Sequence, residues 1–194
     1  MPWYRRKGFF NLPMLITLVR VVMVPVMIGL LWKTPSPPVA ALAMLMFVAA
    51  MIGDVLDGWL ARKWELQSVA GAFLDPLADK MMVLAALVMM IPLGWVSAWV
   101  VVVLEVREIA VSGVRQLAMS EDLVIAAGSL GKFKTAYQAT AIGFLLFHYD
   151  FHGLCDTQSV GTALLWISVL FSVASGVEYG WGYAVHHRAR KAAS

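Results

Sequence analysis

The sequence predicts an all-α polytopic membrane protein, with six transmembrane helices preceded by a short N-terminal amphipathic surface helix. Of the 194 residues, 61% are hydrophobic and 14% are charged, whereas soluble chains average about 45–50% apolar and about 25% charged residues. The apolar residues form six long runs, each close to the ~20 residues that a helix needs to cross a bilayer. Since the loops between the runs are short, residues 1–194 are expected to form a single domain.

The predicted elements follow one another with little sequence between them. Three consecutive basic residues stand between two aromatic pairs in residues 1–11, which is typical of a helix lying on a membrane surface. Three prolines in residues 33–38 predict a turn, and the polar residues 148–159 predict a solvated loop. A basic tail covers residues 186–194. The six spans are expected at about residues 12–32, 39–61, 69–91, 95–119, 130–147 and 160–185.

The basic residues are distributed unequally between the two sides of this predicted bundle. Six spans place both termini on one side, and the other side carries only Lys33 near a membrane edge. Because cytoplasmic loops are enriched in lysine and arginine, both termini are expected in the cytoplasm. The net charge of +3 gives no reason to expect a nucleic-acid partner. The basic residues on the side of the termini are Arg5, Arg6, Lys7, Arg62, Lys63, Arg115, Lys132, Lys134, Arg188, Arg190 and Lys191.

Four aspartates lie inside the second and third apolar runs, where an ionised group costs on the order of 3 kcal/mol or more. Asp54 and Asp57 are three residues apart, and Asp75 and Asp79 are four apart, so each pair shares a helix face. Four bare carboxylates brought together by the intervening turn would repel one another. Hard divalent cations with oxygen ligands remove this conflict. Two such cations, bridged by shared carboxylates, are suited to clamping a phosphoryl group during its transfer.

The residues around these aspartates also suit a phosphate ligand. Gly58 and Ala61 leave space for phosphates or for a neighbouring helix, and the planar guanidinium of Arg62 matches phosphate geometry. The residues alone leave two other interpretations open. The acids could form buried ion pairs with Arg62 and Lys80, although four acids outnumber two bases. They could also line a cation-transport pathway, although such sites are expected near the midplane of a repeated fold.

A second polar constellation occupies the fourth and fifth predicted spans. Glu108, Ser112 and Arg115 lie on one stripe of a helix, with Arg107 beside them. Glu105 or Glu108 is the expected partner of Arg107, because an intramembrane cation needs one. Lys132 and Lys134 begin the next helix, where backbone N–H groups favour an anion. The set predicts a basic pocket for a phosphorylated alcohol, although the two lysines could instead be anchors for lipid headgroups.

The aspartate-containing segment resembles the signature of the CDP-alcohol phosphatidyltransferases. Its eight fixed positions span twenty-six residues, which makes the resemblance specific. The resemblance implies transfer of a phosphatidyl group from a CDP-linked lipid to an alcohol, with release of CMP. It also implies Mg²⁺ or Mn²⁺ as cofactor and a homodimer. The segment reads Asp54-x2-Asp57-Gly58-x2-Ala61-Arg62-x8-Gly71-x3-Asp75-x3-Asp79.

The same resemblance implies roles for individual residues. One metal ion would be held by Asp54, Asp57 and Asp75, and the other by Asp54, Asp75 and Asp79. Asp79 would also be the catalytic base that deprotonates the acceptor hydroxyl. The residues implied to bind the CDP-lipid are Thr17, Arg20, Gly58, Ala61, Arg62, Ser68 and Gly71.

The second constellation, together with residues 11–20, is similar to the bacterial members of this family that use sn-glycerol 3-phosphate. This similarity implies CDP-diacylglycerol and sn-glycerol 3-phosphate as substrates in the bacterial inner membrane, among membrane lipids. It implies an active site on the cytoplasmic side, with Arg107, Arg115, Lys132 and Lys134 binding the acceptor. A family member that uses inositol phosphate and, in a different class, a divalent-cation transporter are the alternatives.

Overall fold

All regular secondary structure in the described part of the chain is α-helical. The computed structural model describes residues 12–63, 69–121, 129–149 and 156–193, without the side chains of 12–14, 57–62, 69–76, 79, 129 and 186–193. The predicted surface helix, residues 1–11, therefore lies outside the described residues. Within them the six helices are α1 (Leu12–Leu30), α2 (Pro37–Lys63), α3 (Val69–Met90), α4 (Ala98–Ser120), α5 (Ser129–Phe147) and α6 (Thr157–Ala193).

The predicted turn at residues 33–38 is too long by two residues, because α2 begins at Pro37. Proline is tolerated in the first turn of a helix, where its missing N–H would have had no intrahelical acceptor. The carbonyl of Ser36 accepts a hydrogen bond of 2.9 Å from the N–H of Ala40, which closes that first turn. Pro37 and Pro38 therefore start the second helix rather than end the preceding turn.

The last helix is longer than the predicted span at both ends. Asp156 precedes α6, and its carboxylate accepts hydrogen bonds from the hydroxyl and, at 3.1 Å, the backbone N–H of Ser159. These bonds stabilise the charged form and lower the pKa of Asp156. An aspartate in this position satisfies N–H groups that the helix leaves unpaired. At the other end, α6 continues to Ala193 and makes most of the predicted basic tail helical.

The predicted solvated loop at residues 148–159 agrees with the exposed Asp156, but it is wrong for His148 and Tyr149, which are packed, and for residues 157–159, which belong to α6. The ring of His148 stacks on Trp95 with centroids 4.1 Å apart, and its Nδ1 lies 3.0 Å from Oε1 of Gln158. The side-chain amide of Gln158 donates a 2.8 Å hydrogen bond to the carbonyl of Trp95, and the Tyr149 hydroxyl donates to the carbonyl of Pro35. Aromatic stacking and hydrogen bonds thus pack this end of the bundle; residues 150–155 lie outside the description.

The helices pack in two groups that are connected through α2 and α5. Helix α1 lies against α2 and α3, while α6 packs most extensively on α5 and also contacts α4. Contact between α2 and α5 joins the groups. The core between them is apolar and fully buried, as expected where dispersion and burial hold helices together. Its largest members include Met27, Phe47, Met82, Leu104 and Leu145.

The outer faces of the helices are also apolar. Large side chains such as Val55, Trp99, Leu170 and Trp181 are mostly exposed, which is unusual for a protein surface that faces water. Two described segments, Pro37–Leu56 and Thr157–Val185, are long and apolar enough to cross a membrane by length and composition. Leu15–Leu30 and Lys80–Met90 are apolar but shorter. The six-span topology therefore stays a prediction.

The contact between α5 and α6 depends on the absence of a side chain at Gly161. A Cβ atom there would lie 2.7 Å from Cγ of Leu145 and 3.1 Å from its backbone nitrogen. We expect Gly161→Ala to force the helices apart and destabilise the fold by about 1–3 kcal/mol, the usual cost of overpacking. Thermal unfolding of the detergent-solubilised protein measures this as a lower melting temperature.

The matched control is Gly180→Ala in the same helix, where an added Cβ has no heavy atom within 4 Å. Alanine favours helix over glycine by roughly 1 kcal/mol, so this variant should melt at the same temperature as the wild type or above it. Equal melting temperatures for Gly161→Ala and Gly180→Ala would contradict the proposed close packing of α5 and α6.

Candidate active site

The four predicted metal-binding aspartates lie near the junction of α2 and α3. Asp54 and Asp57 belong to the last three turns of α2, whereas Asp75 and Asp79 belong to the first three turns of α3. The two helices contact each other. Of these four side chains, only that of Asp54 is described. The convergence of the four carboxylates therefore stays a prediction from the helical spacing.

Asp54 is bound by Arg20, which the sequence analysis assigned to the CDP-lipid site. Nη1 of Arg20 donates to Oδ1 of Asp54 at 2.6 Å. The arginine side chain is only 2% exposed and the aspartate 34%, so the ion pair lies at the edge of the bundle interior. Such a charge-assisted hydrogen bond is shorter and stronger than a neutral one. The pair fixes the carboxylate of a predicted metal ligand from the neighbouring helix α1.

Gly53 of α2 lies where α1 packs against this helix. A Cβ atom on Gly53 would be 3.5 Å from Cγ2 of Ile16 and 3.9 Å from Cδ of Arg20, which are ordinary van der Waals distances. Thr17, one turn before Arg20, is also buried. Of the two residues predicted from the first span, Arg20 therefore contacts Asp54, and Thr17 lies one turn away on the same side of α1.

The other predicted CDP-lipid residues lie around the junction of α2 and α3. Gly58, Ala61 and Arg62 belong to α2 and Gly71 to α3, but their side chains are outside the described ones. Ser68 lies wholly outside the described residues. The roles of these five positions therefore rest on the resemblance of the sequence motif.

The four cations predicted to bind the acceptor all line one cavity of about 630 Å³. Arg107 and Arg115 extend into its wall from α4, and Lys132 and Lys134 from the beginning of α5. We call this space the acceptor cavity. The arginines and the lysines are at least seventeen residues apart in sequence, so the packing of α4, α5 and α6 is what brings them together. Its described lining includes Lys80, Arg107, Glu108, Ser112, Arg115, Lys132, Lys134, Ser175, Glu178 and Tyr179.

Arg107 is held on three sides, and Glu108 is its acidic partner. Nη1 donates to Oε2 of Glu108 at 3.0 Å, Nη2 to Oγ of Ser175 at 2.6 Å, and Nε to the carbonyl of Ser172 at 2.9 Å. Gly176 permits this arrangement, since a Cβ there would be 3.3 Å from Cγ of Arg107. The guanidinium therefore joins α4 to α6, and the choice that the sequence left open between Glu105 and Glu108 is decided.

Several residues of the acceptor cavity were missed as site residues. Lys80 follows Asp79 in α3, and its Nζ donates to Oγ of Ser112 at 2.8 Å. Tyr179 presents its ring to Arg115, whose Cζ lies 5.7 Å from the ring centroid, within the range of a cation–π interaction. Lys80 was signalled by its position beside Asp79. No sequence pattern connected Tyr179 or Ser175 of α6 with this cavity.

The part of the chain that matches a known family includes residues of both regions described above. Residues 10–174 match the sequence model of the CDP-alcohol phosphatidyltransferase family, which includes all four aspartates and the acceptor cavity cations. The chain belongs to the CDP-alcohol phosphatidyltransferase family. Together with the two long apolar helices, membership of this family indicates membrane association.

Three named relatives carry two different names, which imply different products. The Bacillus subtilis CDP-diacylglycerol–glycerol-3-phosphate 3-phosphatidyltransferase is 40% identical over 88% of this chain and 93% of its own length. The Haemophilus influenzae enzyme of the same name is 34% identical over 88% of this chain and 91% of its own. A cardiolipin synthase (CMP-forming) from Oryza sativa is 38% identical over 87% of this chain and 56% of its own. Family membership alone therefore does not fix the acceptor.

The family generally depends on a divalent metal, and the donor chemistry of the chain fits such an ion. Carboxylate oxygens are the ligands that hard divalent cations prefer, and Asp54 is partly exposed with its carboxylate already oriented by Arg20. Among the described side chains, no three His, Cys, Asp or Glu residues form a group that could hold a metal. Asp57, Asp75 and Asp79, which would complete the predicted set, are outside those side chains.

Proposed function

We propose that this chain transfers the phosphatidyl group of CDP-diacylglycerol to sn-glycerol 3-phosphate, giving phosphatidylglycerol phosphate and CMP. The observation that carries the choice of acceptor is the charge of the acceptor cavity. Among its described lining residues, five cations face two acids, Glu108 and Glu178. A phosphate monoester is complementary to such a site, whereas a zwitterionic or cationic alcohol is not. The names of the Bacillus and Haemophilus relatives support both substrates.

The reaction forms one bond and breaks one. The acceptor hydroxyl oxygen attacks the phosphorus of the phosphatidyl group, and the bond from that phosphorus to the CMP oxygen breaks, so that CMP leaves with the electron pair. Asp79 takes the proton of the hydroxyl as general base. Lys80, the next residue in α3, lines the acceptor cavity. A phosphate bound there would place the acceptor hydroxyl near Asp79, which is the positioning that such an attack requires.

We assign the binding site of the phosphatidyl donor, CDP-diacylglycerol, to the α2–α3 junction. Asp54, Asp57, Asp75 and Asp79 would hold two divalent cations, Mg²⁺ or Mn²⁺, which when bound neutralise pyrophosphate oxygens and acidify the acceptor hydroxyl. Arg20 supports this assignment, because it orients Asp54 from a second helix at 2.6 Å. Gly58, Ala61, Arg62, Ser68 and Gly71 would bind the CDP-lipid, with Thr17 supporting Arg20 from the same helix.

We place both termini and the active site on the cytoplasmic side of the bacterial inner membrane, in a homodimer among membrane lipids. The distribution of basic residues supports the orientation, because lysine and arginine concentrate in loops on the side of the termini. Water-soluble glycerol phosphate would then reach the acceptor cavity directly. The dimer rests on the resemblance to the family.

The test is CMP release by the purified protein in detergent, with CDP-diacylglycerol, Mg²⁺ and a panel of acceptors. We expect glycerol 3-phosphate to react at least about tenfold faster than inositol phosphate, free glycerol or serine. Glycerol and serine lack a phosphate to pair with the cavity cations, and the larger inositol ring would place its hydroxyl differently. Chelation of the metal should stop the reaction. Equal rates with inositol phosphate would contradict the proposed acceptor, and no CMP with any acceptor would contradict the enzymatic function and favour cation transport.

A further inference from the structure

Glu108 is an acid in a cavity that we assign to an anion. Its side chain is 27% exposed, and its Oε2 accepts a 2.7 Å hydrogen bond from Nζ of Lys134 as well as the 3.0 Å bond from Arg107. Its other oxygen, Oε1, lies 3.7 Å from Nζ of Lys80. One carboxylate therefore contacts cations from α3, α4 and α5, and through Arg107 it is connected to α6.

The cations around Glu108 would repel one another without it. Lys134 and Arg107 share one carboxylate oxygen, and side chains of like charge this close need a counter-ion in a medium of low polarity. The Lys134 side chain is only 10% exposed, so its ammonium group cannot be stabilised by water alone. An ammonium group has three N–H donors, and the bond to Glu108 leaves donors that can point into the cavity.

The remaining cations of the cavity are in a different situation. Arg115 and Lys132 are exposed, and neither forms an ion pair with a residue whose side chain the structure describes. Their charges are therefore not neutralised by a described carboxylate, whereas Arg107 is held by bonds to Glu108, Ser172 and Ser175. The cavity thus combines two cations that have no described ion-pair partner with three that contact Glu108.

We infer that Glu108 is a positioning residue for the acceptor: its carboxylate holds Lys134 and Arg107 in the cavity wall, so that Lys134 presents its ammonium group to the acceptor phosphate beside Arg115 and Lys132. This inference rests on the proposed function, since it assigns the cavity to a phosphorylated alcohol. In this arrangement Arg107 serves α4–α6 packing and the orientation of Glu108.

The effect of Glu108→Gln on the KM for glycerol 3-phosphate distinguishes positioning from simple charge. Removing a negative charge near an anion should strengthen binding and lower the KM if the charge of Glu108 alone mattered. If Glu108 positions Lys134, the neutral amide leaves two cations without a counter-ion, and the KM should rise about 10- to 100-fold. The kcat at saturating acceptor and the KM for CDP-diacylglycerol should change by less than about threefold.

Conservative and matched variants complete the experiment. Glu108→Asp keeps the charge on a shorter side chain, so its KM for glycerol 3-phosphate should lie between those of the wild type and Glu108→Gln. Glu121→Gln is the control, since Glu121 lies at the C-terminal end of α4, accepts a hydrogen bond from Tyr183 and is not among the described residues that line the cavity. Its acceptor KM should equal that of the wild type.

A fall or no change in the acceptor KM of a folded Glu108→Gln enzyme would overturn the inference. If that variant does not fold, Glu108→Asp carries the test: a rise of about threefold or more in the acceptor KM alone supports the inference, and an unchanged KM overturns it. Wild-type protein that releases no CMP with glycerol 3-phosphate would instead refute the proposed function. The two failures are therefore distinguishable.

Discussion

Asp79→Asn is expected to abolish turnover while leaving the binding of CDP-diacylglycerol largely intact. Asparagine has nearly the same shape as aspartate, but its amide cannot accept a proton from the acceptor hydroxyl at neutral pH. Loss of a general base lowers rates by about 10²–10⁴-fold, and loss of an anionic metal ligand should add to this. CMP release at saturating Mg²⁺ and glycerol 3-phosphate measures the loss of turnover. Equilibrium binding of CDP-diacylglycerol measures whether donor binding is retained.

Asp156→Asn is the matched control for this substitution. Asp156 precedes α6, far along the chain from the aspartate motif, and asparagine is as good a helix cap as aspartate. This variant should keep full activity and a near-normal melting temperature. Full activity of Asp79→Asn would remove Asp79 from the role of base. Loss of CDP-diacylglycerol binding together with activity would show that its main role is in donor binding.

Arg20→Ala is expected to impair both stability and activity, because it removes the cation that holds Asp54. The arginine is 2% exposed and its Nη1 is 2.6 Å from Oδ1 of Asp54. Removing Arg20 leaves the partly exposed carboxylate of Asp54 without its hydrogen-bond donor, which costs about 1–3 kcal/mol. A less rigid Asp54 would also bind the proposed cations less well. We expect a lower melting temperature and a CMP-release rate reduced by about 10²-fold.

Two further variants separate charge from geometry at this position. Arg20→Lys keeps the charge but loses the planar fork of donors, so its activity should lie between those of the wild type and Arg20→Ala. Raising the Mg²⁺ concentration should partly restore Arg20→Lys if Asp54 binds the metal. Lys33→Ala, in the exposed turn after α1, is the control and should be fully active. Unchanged stability and activity of Arg20→Ala would contradict the importance of the Arg20–Asp54 pair.

The positions of the helices could be predicted because they depend on local sequence. Each helix coincides with an apolar run, and the prediction of helical structure is confirmed for the described residues. The ends were less predictable. Pro37 starts α2 because a proline fits the first turn of a helix, and His148 is packed because Trp95, more than fifty residues away, provides a stacking surface. A sequence pattern indicates the ends of helices only as a tendency. It contains no information on which distant residue will pack against a given side chain.

The candidate site likewise combines residues that local sequence predicts with contacts that only helix packing determines. The motif from Asp54 to Asp79 identified the family. The polar residues of α4 and the start of α5 predicted one basic pocket, and all four of its cations, Arg107, Arg115, Lys132 and Lys134, line the acceptor cavity. The partner of Arg107 was left open, because Glu105 and Glu108 are both near it in sequence. The distance of 3.0 Å to Glu108 decides this, since only the packed helices fix which carboxylate faces the guanidinium.

The sequence by itself determined that this protein is helical, which family it belongs to, and which charged residues are candidates for the site. These properties follow from local composition and from residue spacing along single helices. Only the tertiary structure decided that Arg20 binds Asp54, that Glu108 gathers Lys80, Arg107 and Lys134, and that α6 completes the acceptor cavity. These contacts join residues that are mostly tens of positions apart. Their geometry is set by how the helices pack, because in a low-polarity interior each charge must find its partner on whichever neighbouring helix presents one.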